Sequence, residues 1–171
     1  MKRRAILLLC GAIVLGLVAC SSLPSGVLGD AVSKTVESGT LDFQSGEVLC
    51  AVESGTQMET SYALAKILTP ASDKTNNESE VVFVKDGSKG WSRWVVPSRR
   101  AEKADFKVGS VVLFIPGWSG FETMSLEEYR GVSWKLGRVT STDQLFKNLV
   151  EVSGQEFGVK ILRVPTVPVE E

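Results

Sequence analysis

The stretch "SYALAKI" at residues 61–67 returns 72 positions later as "SWKLGRV" at 133–139. Each reads as an aromatic residue, a Leu, a small residue, a cation and a β-branched residue, and each precedes a polar loop and a Val-rich run. Around both, apolar residues recur with period two rather than 3.6, with turn residues between short runs, the pattern of β-strands. "GEVLCAV" at 46–52 and "GSVVLFI" at 109–115 match without a gap. That match puts Val48 with Val111, Cys50 with Leu113 and Val52 with Ile115 on one face, and Leu49 with Val112 and Ala51 with Phe114 on the other. "EVVFVKDGSKGWSRWVVP" at 80–97 and "NLVEVSGQEFGVKILRVP" at 148–165 then run in parallel to a shared closing "VP". Length differences confined to loops are what a duplicated β unit predicts.

The expected fold class is therefore all-β, with two repeats at 41–100 and 109–168 joined by a linker at 101–108. Each repeat has a Gly-led first strand, an aromatic-led second strand, a third Val-rich strand, a tight "DG" or "SG" turn and a last strand closed by "VP". That order, carried by "VGSVVLF" and "WKLGRV", resembles the small barrels of the Tudor and Src-homology-3 superfamilies. The resemblance implies tandem duplicated small β-barrels. Curled sheets of this kind also hide their edges. "RR" at 99–100 with Lys103 and Lys107 reads as a solvated basic hinge, and Trp91 and Trp94 are expected to pack between the barrels.

The first twenty residues stand apart. "MKRR" followed by the apolar run "AILLLCGAIVLGLVA" has the charge and length of a secretory leader, and is short for a membrane span. Its end, Leu17, Val18, Ala19 and Cys20, resembles the lipobox of bacterial lipoproteins. The resemblance implies a signal peptide at 1–19 cut before Cys20, a diacylglycerol thioether on Cys20, and retention at a membrane by buried acyl chains without a spanning helix. Ser21, where that family's inner-membrane members carry Asp, implies export to the outer membrane of a diderm cell. Residues 20–40, rich in Ser and Gly, read as a flexible tether.

Composition narrows the chemistry. The chain has 19 Lys and Arg against 20 acids, and three of the cations lie in the leader, so the remainder is net negative. No broad electrostatic attraction to nucleic acid is expected. There is no His, which removes Ser–His–Asp and Cys–His arrangements and the commonest zinc ligand. Beyond the leader and Cys20, the one remaining Cys, Cys50, sits within a strand pattern and reads as a small core residue. The pairs Glu127–Glu128 and Glu170–Glu171 point apart on either a strand or a helix and make no dyad. No catalytic residue, metal or cofactor is assigned.

One irregularity remains. The second repeat carries an extended first loop, "PGWSGFETMSLEEYRGV" at 116–132, with "SLEE" forming a capping box on Ser125 and Glu128 and Gly131 as a stop. In the resembled barrels this loop and the second-strand aromatics line a ligand groove, which implies binding residues Trp118, Phe121, Tyr129 and Trp134. Alternatively Trp118 and Phe121 fold back as a lid over the second core. The expected function is a non-catalytic binding module for a peptide, cell-wall fragment or envelope protein. A structural lipoprotein docking onto a larger envelope complex is the alternative.

Overall fold

The structure is a computed structural model that describes residues 35–36, 42–120 and 124–170. The leader, Cys20 and Phe121 lie outside the described residues. Among the described residues the chain is mostly β, in two larger antiparallel sheets and one two-stranded ribbon. The first sheet comprises β2 (Glu47–Ala51), β3 (Tyr62–Thr69), β4 (Ser79–Phe83), β5 (Lys89–Ser92) and β6 (Val95–Val96), in the order β5-β4-β3-β2-β6. The second comprises β7 (Ser98–Arg100), β8 (Val111–Phe114), β10 (Lys135–Ser141), β11 (Leu149–Val152), β12 (Gln155–Gly158) and β13 (Arg163–Pro165), in the order β12-β11-β10-β8-β13-β7. Apart from β7 the two orders are the same: a four-stranded meander followed by a fifth strand that returns beside the first. Neither ladder closes into a barrel among the described residues.

Register refines the repeat. The echo itself holds, because β3 and β10 carry a register shift at the same place, between Ile67 and Thr69 and between Val139 and Ser141. With the echo fixed, Leu49 opposite Leu64 corresponds to Leu113 opposite Leu136, so the first strands match one residue away from the ungapped alignment. A slip of one residue exchanges the faces of a strand. Cys50 therefore corresponds to Phe114, not Leu113. The eighteen-position match also fails in its first half: Val81, opposite Ile67, corresponds to Val152, opposite Val139. Two differences offset each other there. The β4–β5 hairpin has a longer turn than the Ser153–Gly154 turn, and the second sheet inserts a 3-10 turn, Val159–Ile161, before β13.

These faces explain the packing. One face of the first sheet carries Val48, Cys50, Ala65, Val81, Phe83 and Val95, a small interior in which Cys50, Ala65 and Val81 are buried. The matching face of the second sheet is larger, with Val112, Phe114, Val139, Val150, Val152 and Phe157. The opposite face of the first sheet does not meet water: Leu49, Ala51, Tyr62, Leu64 and Val96 join Leu113, Ile115 and Leu136 in one continuous core. At its centre the two echo aromatics meet. Tyr62 N–H donates to the Trp134 carbonyl at 2.9 Å and Trp134 N–H donates to the Tyr62 carbonyl at 2.8 Å. The described residues of both sheets accordingly belong to one compact unit.

The connecting segment is also structured. Arg99 and Arg100 lie in β7, which pairs with β13, and the Ala101 N–H donates to the Leu162 carbonyl at 3.0 Å. Arg99 pairs with Asp105 and thereby holds that carboxyl below the usual range. Phe106 is buried. Within the stretch read as a tether, β1 (Thr35–Val36) pairs with β9 (Met124–Ser125).

Gly137 gives a direct test of the larger interior. A Cβ there would lie 2.7 Å from the Phe114 ring and from Ser153 Oγ, and 2.9 Å from Val152. The matching residue in the smaller interior is already Ala65. Gly137→Ala is expected to lower stability by about 1–3 kcal/mol through overpacking, measured by urea unfolding.

Candidate functional site

The extended loop forms as its sequence directs. Ser125 caps α1 (Leu126–Gly131): its Oγ accepts the Glu128 N–H at 3.1 Å while Glu128 Oε2 accepts the Ser125 N–H at 2.8 Å. The second bond holds the Glu128 carboxyl below its ordinary pKa. Arg130 in the last turn forms an ion pair with the buried carboxylate of Glu47, which also accepts the Gln44 N–H at 2.8 Å. The helix is thus clamped to the first sheet by a charge-assisted contact.

The structure brings Trp118, Tyr129 and Trp134 together, but inside the protein. Their exposures are 5%, 2% and 1%. Tyr129 lies edge-on to Trp134 at 5.7 Å and to Trp118 at 6.5 Å, and Phe43 meets Trp134 at 5.9 Å. Burial raises the Tyr129 hydroxyl pKa to about 12. Arg163 completes the cluster, its guanidinium 3.8 Å from the Phe43 ring centroid and its Nε donating to Ser98 Oγ at 3.1 Å. Rings this enclosed fit a lid over the core better than a groove, while a hollow of about 500 Å³ lined by Ile115, Pro116, Trp118, Met124 and Val132 opens beside Trp118. Trp118 achieves this because the loop folds back over Ile115, whose carbonyl accepts the Trp118 N–H at 3.2 Å.

The expectation for Trp91 needs correction. It stands 55% exposed on β5, because its strand lies at the sheet edge and its partner is Glu80 rather than a residue of the second sheet. Trp94 is half-buried and does pack on the common core. Cys50 is buried, and desolvation raises its thiol pKa to about 12, the state of an inert core thiol.

Two other concave features bear on binding. An open groove of about 990 Å³ runs between α1 and the β4–β5 turn, lined by Val84, Lys85, Leu126, Glu127, Arg130 and Val132. A smaller notch of about 170 Å³ lies between the β2–β3 loop and β5–β6, where Glu53, Glu78, Trp91, Arg93 and Trp94 converge. Sequence reasoning passed over both. The signals available were "VKDG" at the hairpin turn for the groove and the close spacing of "WSRW" for the notch. Among the described residues no group of three or more Cys, Asp or Glu is placed to hold a metal ion.

No family model matches the chain, and neither a curated protein nor a solved structure matches it.

Burial of Trp118 makes a quantitative expectation. Trp118→Ala should destabilise the protein by about 3–5 kcal/mol, as for other core Trp truncations. Leu126→Ala, at a position 44% exposed, should stay within about 0.5 kcal/mol of the parent. Paired thermal melts decide it, and a loss below about 1 kcal/mol for Trp118→Ala would return the ring to the surface.

Proposed function

We propose that the chain is a lipid-anchored lipoprotein of the bacterial envelope, with the outer membrane favoured, whose β module is a non-catalytic binder of a peptide, cell-wall fragment or envelope protein. The anchor rests on the leader and its closing "LVAC", with Cys20 as the acylated residue. Among the described residues no helix is long and apolar enough to cross a membrane, and acyl chains hold a protein without one.

The observation that carries the binding reading is the open groove between α1 and the β4–β5 turn. It offers apolar Val84, Leu126 and Val132 beside Lys85, Glu127 and Arg130, the mixture of contact area and orienting charge that suits an extended or helical segment. This reading adds the outer face of α1 to the aromatics proposed on sequence, of which Trp118 borders a separate hollow. The common strand order of the two sheets supports reading the module as a duplicated pair of Tudor- or Src-homology-3-like small barrels, fused through a shared core.

A second reading, a structural lipoprotein docking onto a larger complex, draws on one observation. Ile67 and Leu68 are exposed side by side at the end of β3, and Trp91 is exposed separately on β5, exposed apolar groups of the kind that suit protein contacts.

Metabolic labelling with a fatty acid tests the anchor. Wild-type protein is expected to take up label and sediment with membranes, and Cys20→Ala to lose both. Unlabelled, soluble wild-type protein would contradict it. Crosslinking before detergent solubilisation tests the module: a partner crosslinked through the groove supports binding there, whereas crosslinks confined to Ile67, Leu68 and Trp91 favour docking.

A further inference from the structure

We propose that the notch between the β2–β3 loop and β5–β6 is a binding site for a cationic side chain, an arginine or lysine carried by a peptide or protein partner. The inference rests on the binding-module reading and is independent of the lipid anchor.

The notch is built around a fixed indole. Trp94 Nε1–H donates to the Gly55 carbonyl at 3.0 Å, spanning from the last hairpin to the β2–β3 loop. The Trp94 carbonyl in turn accepts the Ala51 N–H and the Ser92 hydroxyl, both at 2.9 Å. With its backbone and ring edge both tied, Trp94 offers a pre-set face. A cation already uses that face: the Arg93 guanidinium carbon lies 5.1 Å from the ring centroid, within the range at which the ring quadrupole attracts positive charge.

The charges around it do not balance. Glu53 and Glu78 both line the notch, and among the described residues neither carboxylate forms an ion pair. Against two acids the notch holds one cation, Arg93, so it presents an excess of negative charge beside aromatic carbon. Trp91 adds a second indole, on a strand with no neighbour on its outer side among the described residues. A large aromatic exposed beside unpaired carboxylates matches a cation better than it matches an anion or a purely apolar group.

The fold does not require this arrangement. The ladder position of Trp91, opposite Glu80 in the first sheet, is held in the second by Glu156, opposite Glu151. One unit keeps an indole where the other has a carboxylate. Arg93 fills the notch from within, so an incoming side chain competes with it for Trp94 and gains the uncovered part of Trp91.

The test titrates the full chain, isotopically labelled at tryptophan and held in detergent micelles, with the peptide acetyl-Gly-Lys-Gly-Arg-Gly-amide. The control peptide has norleucine at both cationic positions. The expected result is a saturable shift of the Trp91 and Trp94 indole N–H signals with the cationic peptide, and none with the neutral one. Trp91→Ala should weaken binding about three- to tenfold, and Glu53→Gln combined with Glu78→Gln by a similar factor. Arg93→Gln should strengthen binding by vacating the Trp94 face. Raising salt from about 50 to about 500 mM should weaken it. All these side chains are at the surface or rim, and unchanged core amide signals verify the fold of each variant. No saturable shift at about 10 mM peptide, an equal response to the neutral peptide, or unchanged affinity in Trp91→Ala would overturn the proposal. Loss of fatty-acid labelling would remove the anchor and leave this titration as it is.

Discussion

The structure depends on the reciprocal bridge between Tyr62 and Trp134. Each donates its backbone N–H to the other's carbonyl, and both rings are buried in the core. These are the leading aromatics of the two echoed strands, so the contact joins a position to its own counterpart. Such an antiparallel pairing relates its flanking strands by a local two-fold axis, which brings Leu49 and Leu64 of one sheet and Leu113 and Leu136 of the other into one core. Without that contact the first sheet would be left with the small interior of Cys50, Ala65 and Val81. A core so small gives little of the apolar burial that must offset chain ordering.

The unequal interiors bear on function. The second unit has Phe114, Phe157 and the folded-back Trp118 to fill its interior and cover the join. Its extended loop consequently contributes Trp118 and Tyr129 to the core, and α1 is held by the Glu47–Arg130 pair against the first sheet. What the loop leaves outward is the far side of α1, which forms a wall of the groove. The first unit, with fewer large side chains inside, keeps its indoles Trp91 and Trp94 at its rim. The better-filled unit thus supplies most of the large core side chains, and the less well-filled one leaves indole surface at its rim.

Strand content, the repeat and the capped turn at Ser125 were all legible in the sequence, because alternation, the echo and the capping box are local signals. Register was not. "VLCAV" and "VVLFI" are apolar on both faces, one face for the interior and one for the shared core, so they carry no alternation to fix which residue points where. The repeated spacing at 80–97 and 148–165 misled for a related reason: a longer hairpin turn in one copy is offset by a 3-10 turn in the other. Burial of Trp118 was legible only as one of two alternatives, since an aromatic in a loop is equally suited to a ligand and to a core, and burial of Tyr129 and Trp134 was not anticipated. The Glu47–Arg130 clamp and the Trp94–Gly55 bond join residues distant in sequence, and no local pattern announces them.

The central claim is that the two sheets are one folding unit secured at Tyr62 and Trp134. Native-state amide hydrogen exchange tests it most directly. The amides of Tyr62, Trp134, Leu49 and Val112 are expected to exchange only through global unfolding, with one common opening free energy equal to that from urea denaturation. Exchange of Leu49 and the other first-sheet amides through a separate, lower-energy opening, with Val112 still protected, would show two independent barrels and contradict the account.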